Sequence, residues 1–172
     1  GKTYGFPDIN LPYGAGSVLI WNKDLFEKEN LPSLYSLIED KKWNWEKMKE
    51  FSKELTKDTN GDGEIDQWAL GGNVKHDFVF ALAALNNAPF TKEEEGKIIF
   101  NADSAGYIDT LKYTTELMEY VVPFSKQDRT VWRNQNVALL KVPLTNVNGY
   151  YELAKNNNFK MGISYFPLGP EG

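Results

Sequence analysis

The chain of 172 residues contains no cysteine. That excludes disulfides, zinc–thiolate sites and thiol catalysis together, and leaves the redox compartment open. Histidine is nearly absent as well: His76 is the only one, so any nucleophile activated by an imidazole would have to use it. Its neighbours Lys75 and Asp77 form no catalytic signature with it. The longest apolar run, Phe78 to Leu85, has eight residues, far short of the roughly 20 that a membrane-spanning helix needs. Positive charge is not in excess, because the formal net charge is -5 and the lysines are scattered among Asp and Glu. Nucleic acid, which requires a basic face, is not an expected partner. The segment Gly14-Ala15-Gly16-Ser17 lacks the Lys-Ser/Thr ending of a phosphate loop and precedes a strand. A leader-like segment and a lipid-attachment cysteine are missing too, so targeting and any lipid anchor are expected to lie outside this sequence.

Aromatic residues are plentiful, with five Trp, nine Tyr and ten Phe, and some of these rings are expected to face a ligand. Residues 2–6 and 17–21 read as strands separated by a Pro- and Gly-rich loop. Short helices follow at 23–29 and, after Pro32, through Leu34, Leu37 and Ile38. Asn44 can cap a clearer helix in which Trp45, Met48, Phe51 and Leu55 recur on one face. A strand is expected at 67–71, a helix at 75–86 buried through Phe78, Leu82 and Leu85, and a strand at 97–100. The longest helix is expected from about 103 to 120, its inner stripe formed by Ile108, Leu111, Thr115, Met118 and Val122. A strand at 137–142, a polar turn at 145–149, a helix through Leu153 and a strand at 160–166 complete the pattern. Strands alternating with helices imply an α/β layer structure. Trp45, Phe51, Phe80, Trp132 and Phe159 are expected in the core.

Residues 58–66, DTNGDGEID, place oxygen ligands at Asp58, Asn60, Asp62 and Asp66, with the Glu64 carbonyl between them. This matches the first nine positions of an EF-hand calcium loop, with Gly63 supplying the sharp turn. The twelfth position, which should carry a bidentate Glu, is Ala69. Two readings stand: a structural Ca2+ site, or a surface turn whose side chains bond their own backbone. For hydrolysis of a glycosidic bond, no carboxylate pair can be nominated.

The order of motifs resembles one family, the extracellular solute-binding proteins of sugar-importing ABC transporters, related to maltose-binding protein. Gly1-Lys2-Thr3-Tyr4-Gly5-Phe6-Pro7 is similar to its first hinge crossing, and Ile20 to Lys28 resembles its tyrosine-asparagine-lysine-aspartate-leucine-phenylalanine segment. Trp45-Glu46 with Leu55 to Asp58 is similar to its tryptophan-led helix. Trp132 to Leu140 resembles an aromatic, glycine, alanine and methionine segment, with Asn134 to Asn136 in place of the glycine and Leu139 in place of the methionine. Tyr165 to Pro170 is similar to the second hinge crossing.

The resemblance implies an α/β fold of the periplasmic-binding-protein-like type II class, with a mixed, mostly parallel sheet flanked by helices. It further implies that residues 1–172 form one lobe, the C-terminal one, of a two-lobed protein outside the cytoplasm, which binds a sugar against a second lobe and presents it to an ABC permease. Expected ligand contacts are Asp8, Asn10 and Tyr13; Lys75, His76, Asp77 and Phe78; and Thr145, Asn146, Asn148, Tyr150 and Tyr151. The family's glycine-proline-tryptophan ligand motif is not matched near the last group. On this expectation the protein is not an enzyme. The alternatives are a calcium-organised protein-interaction module and, behind it, a glycoside hydrolase domain.

Overall fold

The computed structural model describes residues 16–72, 77–123, 126 and 128–172; the expected strand at 2–6 lies outside them. A four-stranded sheet runs in the order β2 (Trp68–Gly71), β5 (Val137–Pro143), β1 (Ser17–Asn22), β6 (Met161–Ser164). The strand β5 is buried along six of its seven residues, as expected of VALLKV, a nearly continuous apolar run covered on both faces. Leu139 joins one hydrophobic layer and Leu140 the opposite one, as do Trp21 and Ile20 on β1. The first layer is built by α1 (Lys23–Lys28), α2 (Leu34–Glu39), α3 (Trp45–Leu55), α4 (Asp77–Ala84) and α5 (Ala105–Leu117), the second by α6 (Asp128–Arg133) and α7 (Val147–Asn156).

The sheet is mixed, but its parallel share is smaller than expected. Among the described residues the sheet has three pairings, of which only β2–β5 is parallel, while β1 runs antiparallel to both β5 and β6. Strand–helix alternation along a chain does not say which strands become neighbours, and among the described strands of this sheet no two neighbours are consecutive in sequence.

Local signals worked where they were strong. The Asn44 side chain accepts the Lys47 N–H at 3.0 Å and starts α3, whose Trp45, Met48, Phe51 and Leu55 are all buried. The expected strand at 97–100 exists as β4 (Lys97–Phe100), but it pairs only with β3 (Thr91–Glu94) in a separate, largely exposed hairpin. Its turn residues Glu95 and Gly96 both have positive φ, as a two-residue hairpin turn requires. The stripe expected on α5 is corrected: Ile108, Leu111 and Thr115 face solvent, and the buried face is Tyr107, Thr110, Tyr113, Thr114 and Leu117. Thr110 and Thr114 can be buried because their hydroxyls donate to the carbonyls of Gly106 and Thr110, at 2.8 and 2.7 Å. The expected turn at 145–149 is a short 3-10 turn at Leu144–Asn146 that runs into α7.

Candidate functional site

The strand directions bring four chain segments to one edge of the sheet. Ser17, the first residue of β1, pairs with Pro143, the last of β5, and Ser164, the last of β6, pairs with Leu19. Gly71, the last residue of β2, pairs with Leu140. The start of β1 and the carboxyl ends of β2, β5 and β6 therefore share this edge. The Leu144 N–H donates to the Gly16 carbonyl at 3.1 Å, joining the loop after β5 to the entry of β1. A Cβ on Gly72, at positive φ, would stand 2.4 Å from the Lys141 carbonyl oxygen, so only glycine lets the β2 exit lie so close to β5. Carboxyl ends of strands in open α/β sheets are where ligands bind.

Of the three stretches expected to contact ligand, residues 145–151 leave this edge within the described part of the chain. Residues 8–13 precede Gly16 and lie outside the described residues, as do Lys75 and His76. Asp77 opens α4 five residues after Gly72. Thr145, Asn146 and Asn148 follow Pro143 directly and are exposed. Tyr151 is 48% exposed.

Two expected contacts belong instead to the interior. Phe78 is 1% exposed and meets Phe166 edge to face at 5.2 Å. Tyr150 is 7% exposed and packs in the second layer against Trp132, whose indole N–H donates to the Tyr150 carbonyl at 3.1 Å. Phe78 lies on the buried helix face expected of Phe78, Leu82 and Leu85, whereas Tyr150 turns inward one position from the exposed Tyr151, a pair that sequence spacing could not separate. Phe80, expected in the core, is exposed, in edge-to-face contact with Phe90 at 5.6 Å.

The edge also holds residues that no sequence pattern singled out. The Arg129 guanidinium lies 5.7 Å from the Tyr150 ring centroid and close beside Gly149. An apolar groove of about 590 Å³ opens where β1 starts and β6 ends, lined by Val18, Ala81, Leu85, Ile163 and Tyr165 among others. Together these supply an apolar wall, exposed hydroxyls and amides, and a fixed positive charge.

The sequence model of the bacterial extracellular solute-binding proteins matches residues 1–170. The chain belongs to this family. No curated protein sequence matches the chain. Among solved structures, this solute-binding protein is similar to an ABC substrate-binding protein from Listeria monocytogenes in complex with cycloalternan (TM-score 0.67, 18% identity, 90% of this chain and 37% of that one). It is also similar to the maltose/maltodextrin-binding domain MalE from Bdellovibrio bacteriovorus bound to maltotriose (TM-score 0.66, 20% identity, 91% and 38%). A third is UspC from M. tuberculosis (TM-score 0.64, 18% identity, 92% and 43%). The chain thus spans well under half the length of these structures, and the likeness establishes the type II periplasmic-binding-protein fold. No helix among the described residues is long and apolar enough to cross a membrane.

The calcium-like loop of this solute-binding protein sits between α3 and β2, closed by paired Lys57 and Gln67 backbones. Its carboxylates are already engaged. Asp58 accepts the N–H groups of Asn60, Gly61 and Gly63 at 3.1, 2.7 and 2.7 Å, and those of Gly63 and Gly61 do most to hold its pKa below the usual value. Asp62 accepts from the Glu64 N–H and the Asn60 amide, and Asp66 from the Thr59 N–H and hydroxyl. Ala69, the twelfth position, is fully buried in β2 and offers no side-chain oxygen. Among the described residues no three His, Cys, Asp or Glu side chains group as a metal site; the loop's bonds are those of a self-capped turn, and the twelfth position supplies no bidentate carboxylate.

Proposed function

We propose that this chain is one lobe, the C-terminal one, of the substrate-binding component of an ABC importer, acting outside the cytoplasm and without catalysis. On this proposal it captures a carbohydrate, an oligosaccharide in the first instance, between the sheet edge described above and a second lobe that the 172 residues do not include. The observation that carries it is the shared edge: stretches far apart in sequence leave the sheet at neighbouring points, beside an apolar groove and a band of exposed hydroxyls and amides. Sugars present apolar C–H faces and a rim of hydroxyls, and such a mixture matches both. The family membership and two solved neighbours whose bound ligands are cycloalternan and maltotriose support the same class.

Within the proposal, Tyr151 offers a ring and Thr145, Asn146 and Asn148 offer hydrogen bonds, with Asp8, Asn10, Tyr13, Lys75, His76 and Asp77 as the remaining contacts. Closure of the two lobes around the ligand would present the complex to the permease. The test is isothermal titration of the full two-lobed protein with maltotriose and with cyclic and linear glucans. Binding of at least one, weakened about tenfold or more by Tyr151→Ala, is the expected result. Unchanged affinity in Tyr151→Ala would remove the 145–151 stretch from the site, and no binding across a wider glycan panel would remove the carbohydrate.

A further inference from the structure

Asn86 is a polar side chain that is 2% exposed and joins three separate segments. Its Nδ2 donates to the Gly106 carbonyl at 3.2 Å, at the start of α5. Its Oδ1 accepts the Glu171 N–H at 3.0 Å, from the segment that follows β6. The fit leaves no slack: a Cβ on Gly169 would stand 2.2 Å from Asn86 Oδ1 and 2.6 Å from its Cβ. Beside it the Gly169 N–H donates to the Leu85 carbonyl at 3.2 Å, and the Asn87 amide donates to the Glu171 carbonyl. The same segment is gripped at the other end of α4 by the Phe78–Phe166 contact. The helix α4 and the residues that follow it are thus fastened to residues 166–171 at Phe78 and at residues 85–87, while Ala81 and Leu85 between them line the apolar groove at the candidate edge.

We infer that Asn86 is a positioning residue that makes α4 and the segment 166–171 move as one body, so that a ligand held in the groove lined by Ala81 and Leu85 also fixes that segment. A buried amide suits this role because a broken bond here leaves an unsatisfied polar group, which makes the joined state all-or-none in character. The mechanical half of the inference concerns the fold alone. Its effect on a ligand rests on the binding reading proposed above.

Hydrogen exchange of the full protein, read by mass spectrometry without ligand and with the best-binding glycan, tests both halves. Two variants approach the joint from opposite sides: Asn86→Ala removes the amide, and Gly169→Ala inserts a methyl against an intact Asn86. Both are expected to raise ligand-free exchange at residues 82–87 and 168–172 together, about tenfold, with α7 and the β3–β4 hairpin unchanged. Glycan binding to the wild type is expected to protect 168–172, and each variant to lose that protection while keeping it at 144–151. Ligand-free exchange that rises in only one of the two segments, or uniformly across the chain, would overturn the joint. If no glycan binds, the carbohydrate proposal fails and the ligand-free comparison still decides the joint. Protection at 168–172 that survives in both variants would overturn the coupling.

Discussion

Gly162 lies opposite Trp21 in the β1–β6 ladder, and a Cβ there would stand 2.1 Å from the indole nitrogen. Gly162→Ala must therefore displace a large, fully buried ring, and is expected to cost about 1 to 3 kcal/mol in urea denaturation; an unchanged midpoint would show that the ring can shift freely. Tyr113 stacks on Trp45 at 4.4 Å with the planes 4° apart, and its hydroxyl donates to the Trp45 carbonyl at 2.9 Å. Burial pushes the phenol pKa well up, so it stays protonated and donating at any ordinary pH. Tyr113→Phe keeps the stack and loses the bond, for an expected loss of about 1 kcal/mol in the same assay. Glu29 is held below its ordinary pKa chiefly by its hydrogen bond to the Lys57 ammonium at 2.5 Å, against some desolvation. A lowered folded-state pKa stabilises the fold above the unfolded value and ceases to do so as pH falls through the folded one. Glu29→Gln should therefore be less stable than wild type at pH 7, by up to about 1 kcal/mol for a partly solvated pair. The gap should close as the pH falls below about 4, and a gap that persists at pH 2 would contradict the assignment.

Among the elements, the loop at residues 58–66 has the side-chain-to-backbone bonds of the second of its two readings, the self-capped turn. Its side chains cap its own backbone, so millimolar calcium is expected to leave the melting temperature where EDTA leaves it, while Asp58→Ala lowers it by unfastening three N–H groups. A rise of several degrees on adding calcium would restore the metal site. The elements most legible in the sequence were those with one dominant signal: the capped, apolar-striped α3 and the uninterrupted run of β5. The stripe of α5 was misread because hydropathy ranks Ile108 and Leu111 above Thr110 and Thr114, yet threonine hydroxyls that bond back along their own helix lose little on burial. The β3–β4 hairpin was half-read because the strand Thr91–Glu94 is polar throughout and has no buried face to produce alternation.

At the scale of the whole molecule, the family and the α/β class were readable from motif order, whereas the pairing of strands was not. Register between β1 and β5 joins residues more than a hundred positions apart, and no local pattern encodes such a neighbour. The candidate edge, where β1 starts and β2, β5 and β6 end, is defined only by that pairing. The same limit explains Tyr150: composition marks a ring as available, and only packing decides which way it turns. A polar hollow of about 440 Å³ at the opposite edge, lined by Asp24, Asp66 and Gln135 among others, is the natural control, since it offers polar groups without the apolar wall. The most direct test is a crystal structure of the full two-lobed protein grown with the glycan that most raises its melting temperature. The account predicts sugar density against Tyr151 and the exit of β5, with the second lobe closed over it. Density in the opposite hollow, or at the exposed Phe80–Phe90 surface with the β5 edge empty, would contradict it.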